Sequence, residues 1–198
     1  MNTEQFVEDF VNKNPHPDYE RQWPAMRPDL RSIVRVIEEF KIKTVLELGT
    51  WEGYTTLMMS ELVDSIITVD IHKDFSIYYS HAYHNLRPKE FYGHFFVEAK
   101  KENVKQVFSS THDITKELGD FDMVFIDANH EYDWVKHDTK KASEFNPKVL
   151  VWHDYGSEPG VIRYIDELKA TGLNIKHGEQ LVCYLELTDE ARRIINGQ

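Results

Sequence analysis

The residues of this chain best placed to do chemistry follow two short apolar runs. Met123-Val124-Phe125-Ile126 is followed by Asp127-Ala128-Asn129-His130, and Val149-Leu150-Val151-Trp152 by His153-Asp154. Apolar runs of that length read as buried strands, so two carboxylates and an imidazole arrive together at one edge of a sheet. They are costly to bury unpaired and should hold a cation, a polar ligand or one another. Carboxylate oxygens suit Mg²⁺ or Ca²⁺, and the added imidazole turns the choice toward Mn²⁺, Fe²⁺ or Zn²⁺. His130, three residues beyond Asp127, adds a group that titrates near neutral pH.

A second group lies earlier. Val45-Leu46-Glu47-Leu48-Gly49-Thr50-Trp51-Glu52-Gly53 reads as a strand running into a glycine loop and a helix, and Ile66-Ile67-Thr68-Val69-Asp70 as the next strand, ending in an acid. That order builds a nucleoside pocket at the carboxyl end of a parallel sheet, with the acid about 20 residues on accepting ribose hydroxyls. Gly49 and Gly53 let backbone approach the ligand, because neither carries a side chain. A dinucleotide fingerprint would need three glycines to seat a pyrophosphate. Here there are two, preceded by Glu47, which would repel a pyrophosphate and attract an ammonium instead.

The elements between these motifs alternate. Helices are expected over 3–13, before Asn14-Pro15-His16-Pro17, and from Asp29 as an N-cap, with Leu30, Ile33, Val34 and Ile37 on one apolar face. Strands are expected near 44–48, 66–70, 104–108, 122–126 and 148–152, a helix over 160–168, and a hairpin of 173–177 and 180–187. Apolar strands separated by helices predict an α/β fold with a doubly wound, mostly parallel sheet, helices on both faces and a C-terminal antiparallel hairpin strand. The 198 residues suit a single domain, with 1–28 as an N-terminal helix and Pro-rich lead-in and 72–96 as an insert. That insert holds Phe75, Tyr78, Tyr79, Tyr83, Phe91, Tyr92, Phe95 and Phe96, with His72, His81, His84 and His94 among or beside them. It packs onto the core, covers the ligand, lines a substrate pocket or is buried in a homodimer.

Composition narrows the partners. A net charge of −11 without a basic run argues against nucleic acid. No apolar run reaches the roughly 18 residues of a membrane span or makes a signal peptide, and the single Cys183 sits in an apolar run as an inert thiol. A cytoplasmic protein acting on a small molecule is expected.

Glu47-Leu48-Gly49-Thr50-x-x-Gly53 resembles the first motif of class I S-adenosylmethionine-dependent methyltransferases. Asp122-x-x-Phe125-Ile126-Asp127-Ala128-x-His130-x-Tyr132, followed by His153-Asp154-Tyr155, is similar to small bacterial methyltransferases related to catechol O-methyltransferase, over about residues 30 to 187. The resemblance implies a Rossmann-like seven-stranded sheet and methylation of a small-molecule hydroxyl on a sugar or a phenol. Glu47, Gly49, Thr50 and Gly53 would then surround the methionine part of S-adenosylmethionine, Asp70 its ribose, and Thr111 with His112 its adenine, with Asp127 beside the cofactor. Thr111 or Asp113 would alternatively cap a short helix over 114–118. Asp127, His153 and Asp154 match the positions that hold a divalent cation, although His153 stands where some relatives have Glu and Tyr155 where the catechol enzymes have Asn. His130 falls where those enzymes carry a catalytic lysine and is expected to be the base, with His153 the alternative. Two rival uses stay open: a metal-dependent hydroxylase or hydrolase, since one His with two carboxylates is also the non-haem iron facial triad, and a non-catalytic module that binds S-adenosylmethionine.

Overall fold

The computed structural model describes residues 1–16, 26–72 and 87–197. Phe75, Tyr78, Tyr79, Tyr83, His81 and His84 of the expected insert lie outside them. Seven strands form one sheet: β1 (Thr44–Leu48), β2 (Ser65–Asp70), β3 (Val104–Phe108), β4 (Met123–Ile126), β5 (Val149–Trp152), β6 (Lys176–His177) and β7 (Cys183–Glu186). Their order is β3-β2-β1-β4-β5-β7-β6. The first five pair in parallel, while β7 runs antiparallel to both β5 and β6. The seven-stranded, mostly parallel sheet with a C-terminal antiparallel hairpin is as expected. The chain begins in β1, winds outward through β2 and β3, then returns to β4 on the other side of β1. The gap between β1 and β4 at their carboxyl ends is therefore the switch point where such sheets bind ligands.

Helices cover both faces because the strands are apolar on both. Val45, Met123, Phe125, Val149 and Val151 pack against α1 (Thr3–Lys13), α2 (Met26–Phe40) and α3 (Tyr54–Ser60). Leu46, Leu48, Val124, Ile126, Leu150 and Trp152 pack against α5 (Tyr132–Ser143), α6 (Pro159–Ala170) and α7 (Asp189–Asn196). A further short helix, α4 (His94–Glu98), places Phe96 in the first of these clusters.

Strand parity decides where the chemistry goes. Side chains alternate across a sheet, so Glu47 shares the face of Val45, Asp127 that of Phe125, and His153 that of Val151. All three face the α2 and α3 side. The ladder continues one step past the strand ends, through Gly49 N–H to Val69 O at 2.8 Å, Asp127 N–H to Leu48 O at 2.8 Å and His153 N–H to Ile126 O at 3.2 Å. Asp127 and His153 are thus held side by side by backbone.

Trp152 anchors the opposite face. It is fully buried, and its indole N–H donates to Thr139 Oγ1 at 2.9 Å. Trp152→Phe leaves a void and an unmet acceptor, and urea denaturation should show a loss of about 2–3 kcal/mol; a loss below about 1 kcal/mol would mean that the indole is dispensable.

Three boundaries differ from expectation. α2 begins at Met26, before Asp29, because Pro28 in the first turn has no N–H to satisfy. Asp29 is consequently no cap: it is 2% exposed on the inner face, beside Leu30 and Ile33. The segment after β3 holds only a 3₁₀ turn over Lys116–Leu118, capped by Thr115, so neither Thr111 nor Asp113 caps it. The hairpin strands are shorter than expected because backbone N–H groups of the turn bind α2 instead: Glu179 N–H donates to Ser32 Oγ at 2.6 Å and Leu181 N–H to Asp29 Oδ1 at 2.8 Å.

Candidate active site

A cavity of about 480 Å³ opens at the switch point. Glu47, Gly49, Thr50 and Gly53 line it from the β1 loop, and Asp127, His130, His153 and Asp154 from the ends of β4 and β5. The structure therefore brings both sequence motifs to one space.

The loop has little latitude. Gly49 has φ +96°, and a Cβ there would lie 2.1 Å from the Asp127 carbonyl oxygen; Gly53 has φ +80°, and its Cβ would meet Gly93 Cα and the Phe96 ring at 2.7 Å. Gly49→Ala combines a left-handed backbone with a clash against a strand end, so a loss of at least about 3 kcal/mol is expected in urea denaturation. A loss under about 1 kcal/mol would show that the loop moves freely.

Asp70 departs from its simplest reading. Its Oδ2 accepts the amides of Thr50 at 2.8 Å and Trp51 at 2.9 Å, and Oδ1 that of Ile71 at 2.7 Å. The acid shapes the glycine loop and stands behind it, outside the cavity lining, with lone-pair capacity remaining on Oδ1. Burial, the largest influence, still raises its carboxyl despite those three amides. Thr111 and His112 follow β3 at the same sheet edge, also outside that lining. Thr111 is buried, and His112 stacks on His137 at 3.6 Å with Trp134 edge-on at 4.5 Å. Burial and the neighbouring His137 lower the His112 imidazole.

Glu47 is the most perturbed of the cavity's acids. It is 1% exposed and accepts the Thr56 hydroxyl at 2.5 Å. Burial raises its carboxyl to about 8, against the opposing bond from Thr56. With no cationic side chain among the described residues influencing it, Glu47 is mostly neutral at pH 7, which refines its expected role as a standing negative charge.

Across the cavity lies a knot of charges. His153 Nδ1 is 3.5 Å from Asp127 Oδ1 and 3.3 Å from Asp154 Oδ1, while His153 Nε2 is 3.4 Å from Asp29 Oδ2. His130 Nε2 is 3.1 Å from Asp154 Oδ2 and 3.6 Å from Asp127 Oδ1, but it makes no aligned hydrogen bond. Burial pushes Asp127 up, yet the imidazoles, His153 foremost, hold it at about 2. Burial pushes His153 down, and the carboxylates around it, Asp127 foremost, more than reverse that, raising it well above its ordinary value. Asp127 beside His130 raises that imidazole too. Asp154 is turned into the knot by a left-handed backbone, φ +61°, which an aspartate tolerates better than most residues.

Asp127, His153 and Asp154 can each offer one donor atom within 4.8 Å of the others. Two carboxylates and an imidazole suit a divalent cation, and the Nε2 of His130 beside them is buried without an aligned hydrogen bond. The residues fit such an ion.

Sequence reasoning missed several lining residues, among them His16, Met26, Trp51 and Glu52. It also missed Asp29, although an acid four residues before Ile33 lies on the apolar face of a helix and should be buried there.

The strand order and the placement of loop and acids define the class I methyltransferase architecture, as the sequence resemblance implied. The chain belongs to the methyltransferase-domain family, whose model matches residues 46–155. Similar folds include the S-adenosylhomocysteine-bound methyltransferase PaMTH1 of Podospora anserina, 14% identical with a TM-score of 0.60, covering 96% of this chain and 89% of that one. The O-methyltransferase of Bacillus cereus, solved with S-adenosylhomocysteine, is 13% identical with a TM-score of 0.58 over 92% of this chain and 91% of that chain. TomG of Streptomyces achromogenes, solved with S-adenosylmethionine, is 18% identical with a TM-score of 0.57 over 95% and 91%. At these identities the likeness is one of fold. No curated protein matches the chain by sequence. Among the described residues, no helix is long and apolar enough to cross a membrane.

Proposed function

We propose that this methyltransferase uses S-adenosylmethionine to methylate a hydroxyl of a small molecule, a phenol or a sugar. One observation carries the reading: the Glu47 to Gly53 loop and the Asp127, His153, Asp154 trio open into the same 480 Å³ cavity. Donor and acceptor chemistry thus face one another. The complexes of the Bacillus cereus enzyme and TomG support the choice of cofactor.

In this reading Glu47 receives the ammonium of the methionine part, Gly49 and Gly53 let that part lie against backbone, Asp70 holds the loop and meets the ribose, and Thr111 with His112 border the adenine. Methyl transfer from a sulfonium is an in-line displacement, so most of the rate comes from holding the acceptor oxygen on the sulfur–methyl axis. Asp127, Asp154 and His153 would hold a divalent cation, which when bound lowers the pKa of an acceptor hydroxyl. His130 faces the cavity with a partly exposed ring and takes the hydroxyl proton. His153, clamped between acids on both sides, orients the trio. The reading includes a single catalytic domain working in the cytoplasm, supported by the one cysteine, Cys183, being buried and free.

Calorimetric titration with S-adenosylhomocysteine, with and without Mg²⁺, tests this. One equivalent should bind. No binding under either condition would sink the proposal.

A further inference from the structure

Three buried threonine hydroxyls have no part in the reaction above, yet they surround the acid that meets the cofactor. Thr50 comes from the β1 loop, Thr56 from α3 and Thr68 from β2, and the last two are fully buried. Thr56 Oγ1 donates to Glu47 Oε2 at 2.5 Å, and Thr50 Oγ1 lies 2.6 Å from Thr68 Oγ1. Thr68 joins the two pairs: it is the register partner of Glu47 across β1 and β2, and its hydroxyl favours the ionised carboxylate. The backbone of Thr50 is fixed as well, its amide donating to Asp70 Oδ2 at 2.8 Å and its carbonyl accepting the Gly53 amide at 2.8 Å.

The direction of these bonds follows from counting protons, because a hydroxyl has a single one to give. If Thr68 gives its proton to Glu47, Thr50 must donate the bond between the two threonines. The order is then Thr50 to Thr68 to Glu47, with Thr56 a second donor from the helix side, and each bond polarises the next. Glu47 needs such donors. It is 1% exposed, and the carboxylates of Asp127 and Asp70 both oppose a charge on it, so hydroxyls stand where water would otherwise solvate an anion.

We infer that Thr68 is a positioning residue for the cofactor's amino group: it steadies the Glu47 carboxylate and ties it to Thr50, so that strand acid and glycine loop form one receptor for an ammonium. The inference rests on the proposed binding of S-adenosylmethionine in this cavity.

Thr68→Val keeps the shape of the side chain and removes only its hydroxyl. Calorimetric titration with S-adenosylhomocysteine should show affinity about tenfold weaker than wild type, the size of one hydrogen bond to a charged group. Thr68→Ser, which keeps the hydroxyl, should bind within about threefold of wild type. In Glu47→Gln protein, where no carboxylate remains to be served, adding Thr68→Val should weaken binding by less than about threefold further. If the hydroxyl only braces the loop, the two losses multiply to about a hundredfold in the double variant, and the inference falls. It falls too if Thr68→Val binds as the wild type does, or if Thr68→Ser binds no better than Thr68→Val. Thr56→Val runs the same cycle from α3 and should behave alike, which decides the matter should Thr68→Val unfold the protein. A wild type that binds no S-adenosylhomocysteine contradicts the proposed cofactor itself, an outcome read before any variant is compared.

Discussion

Asp127→Asn is expected to lower kcat/KM for the acceptor by about 10²- to 10⁴-fold, the range over which a positioned proton-transfer group acts, with S-adenosylhomocysteine affinity little changed. Asp127, like Asp154, touches both imidazoles, His153 Nδ1 at 3.5 Å and His130 Nε2 at 3.6 Å. An amide in its place removes one of the two charges that orient both rings and one of two carboxylate donors for a cation. The same substitution changes stability in acid. The Asp127 carboxyl is held at about 2, below its ordinary 3.8, so its ionised form stabilises the fold above pH 4 by about 2 kcal/mol, and that contribution is lost as pH falls from 4 to 2. The wild type should weaken over that interval by more than the Asn variant does. Initial-rate kinetics and urea denaturation at several pH values measure both effects. Turnover within threefold of wild type would remove Asp127 from the reaction.

Glu47→Gln should act through the cofactor. Because burial raises Glu47 to about 8, the empty cavity holds mostly the neutral acid at pH 7, and an arriving ammonium draws it into the ionised form. Binding of S-adenosylhomocysteine should therefore release part of a proton at pH 7, seen as a binding heat that varies with buffer, and should tighten as pH rises to about 8. Glutamine abolishes both and weakens binding by about tenfold or more, the size of one charge-assisted hydrogen bond. Stability moves the other way. A carboxyl raised from 4.5 to about 8 leaves its stabilising neutral form intact below pH 4.5 and loses it as pH climbs through 8, a cost of about 3–5 kcal/mol by the alkaline end. The cofactor-free Gln variant, which does not titrate, should be the more stable protein at pH 8. Equal affinity and equal pH dependence in the two proteins would mean that Glu47 only fills space.

Much of the fold was legible because each inner strand is a short apolar run. Thr44–Leu48 and Val104–Phe108 appear where expected, and the other parallel strands agree within a residue. The meeting of Asp127, His153 and Asp154 was legible for the same reason: parallel strands end at one edge, and parity points Asp127 and His153 to one face. What the residues could not reveal is what each acid faces. Asp29 looked like a helix cap because Asp often begins helices, but Pro28 lets the helix start earlier and turns the acid inward. Asp70 looked free for a ribose, whereas the loop amides of Thr50 and Trp51, far back in sequence, and that of the adjacent Ile71 claim three of its lone pairs. Glu47 looked like a fixed charge, and only the depth of its burial beneath Thr56 shows that its charge depends on what is bound. Except for Asp29, whose place four residues before Ile33 on an apolar helix face gave a signal, these contacts lie between elements and are invisible to spacing.

A crystal structure of the protein with S-adenosylhomocysteine and Mn²⁺ would decide most directly whether this cavity joins a methyl donor to an activated hydroxyl. The ammonium should lie against Glu47, the homocysteine backbone over Gly49 and Gly53 with its sulfur toward Asp127, and the anomalous signal of manganese between Asp127, His153 and Asp154. S-adenosylhomocysteine bound elsewhere, or manganese away from that trio, would contradict the proposed reaction.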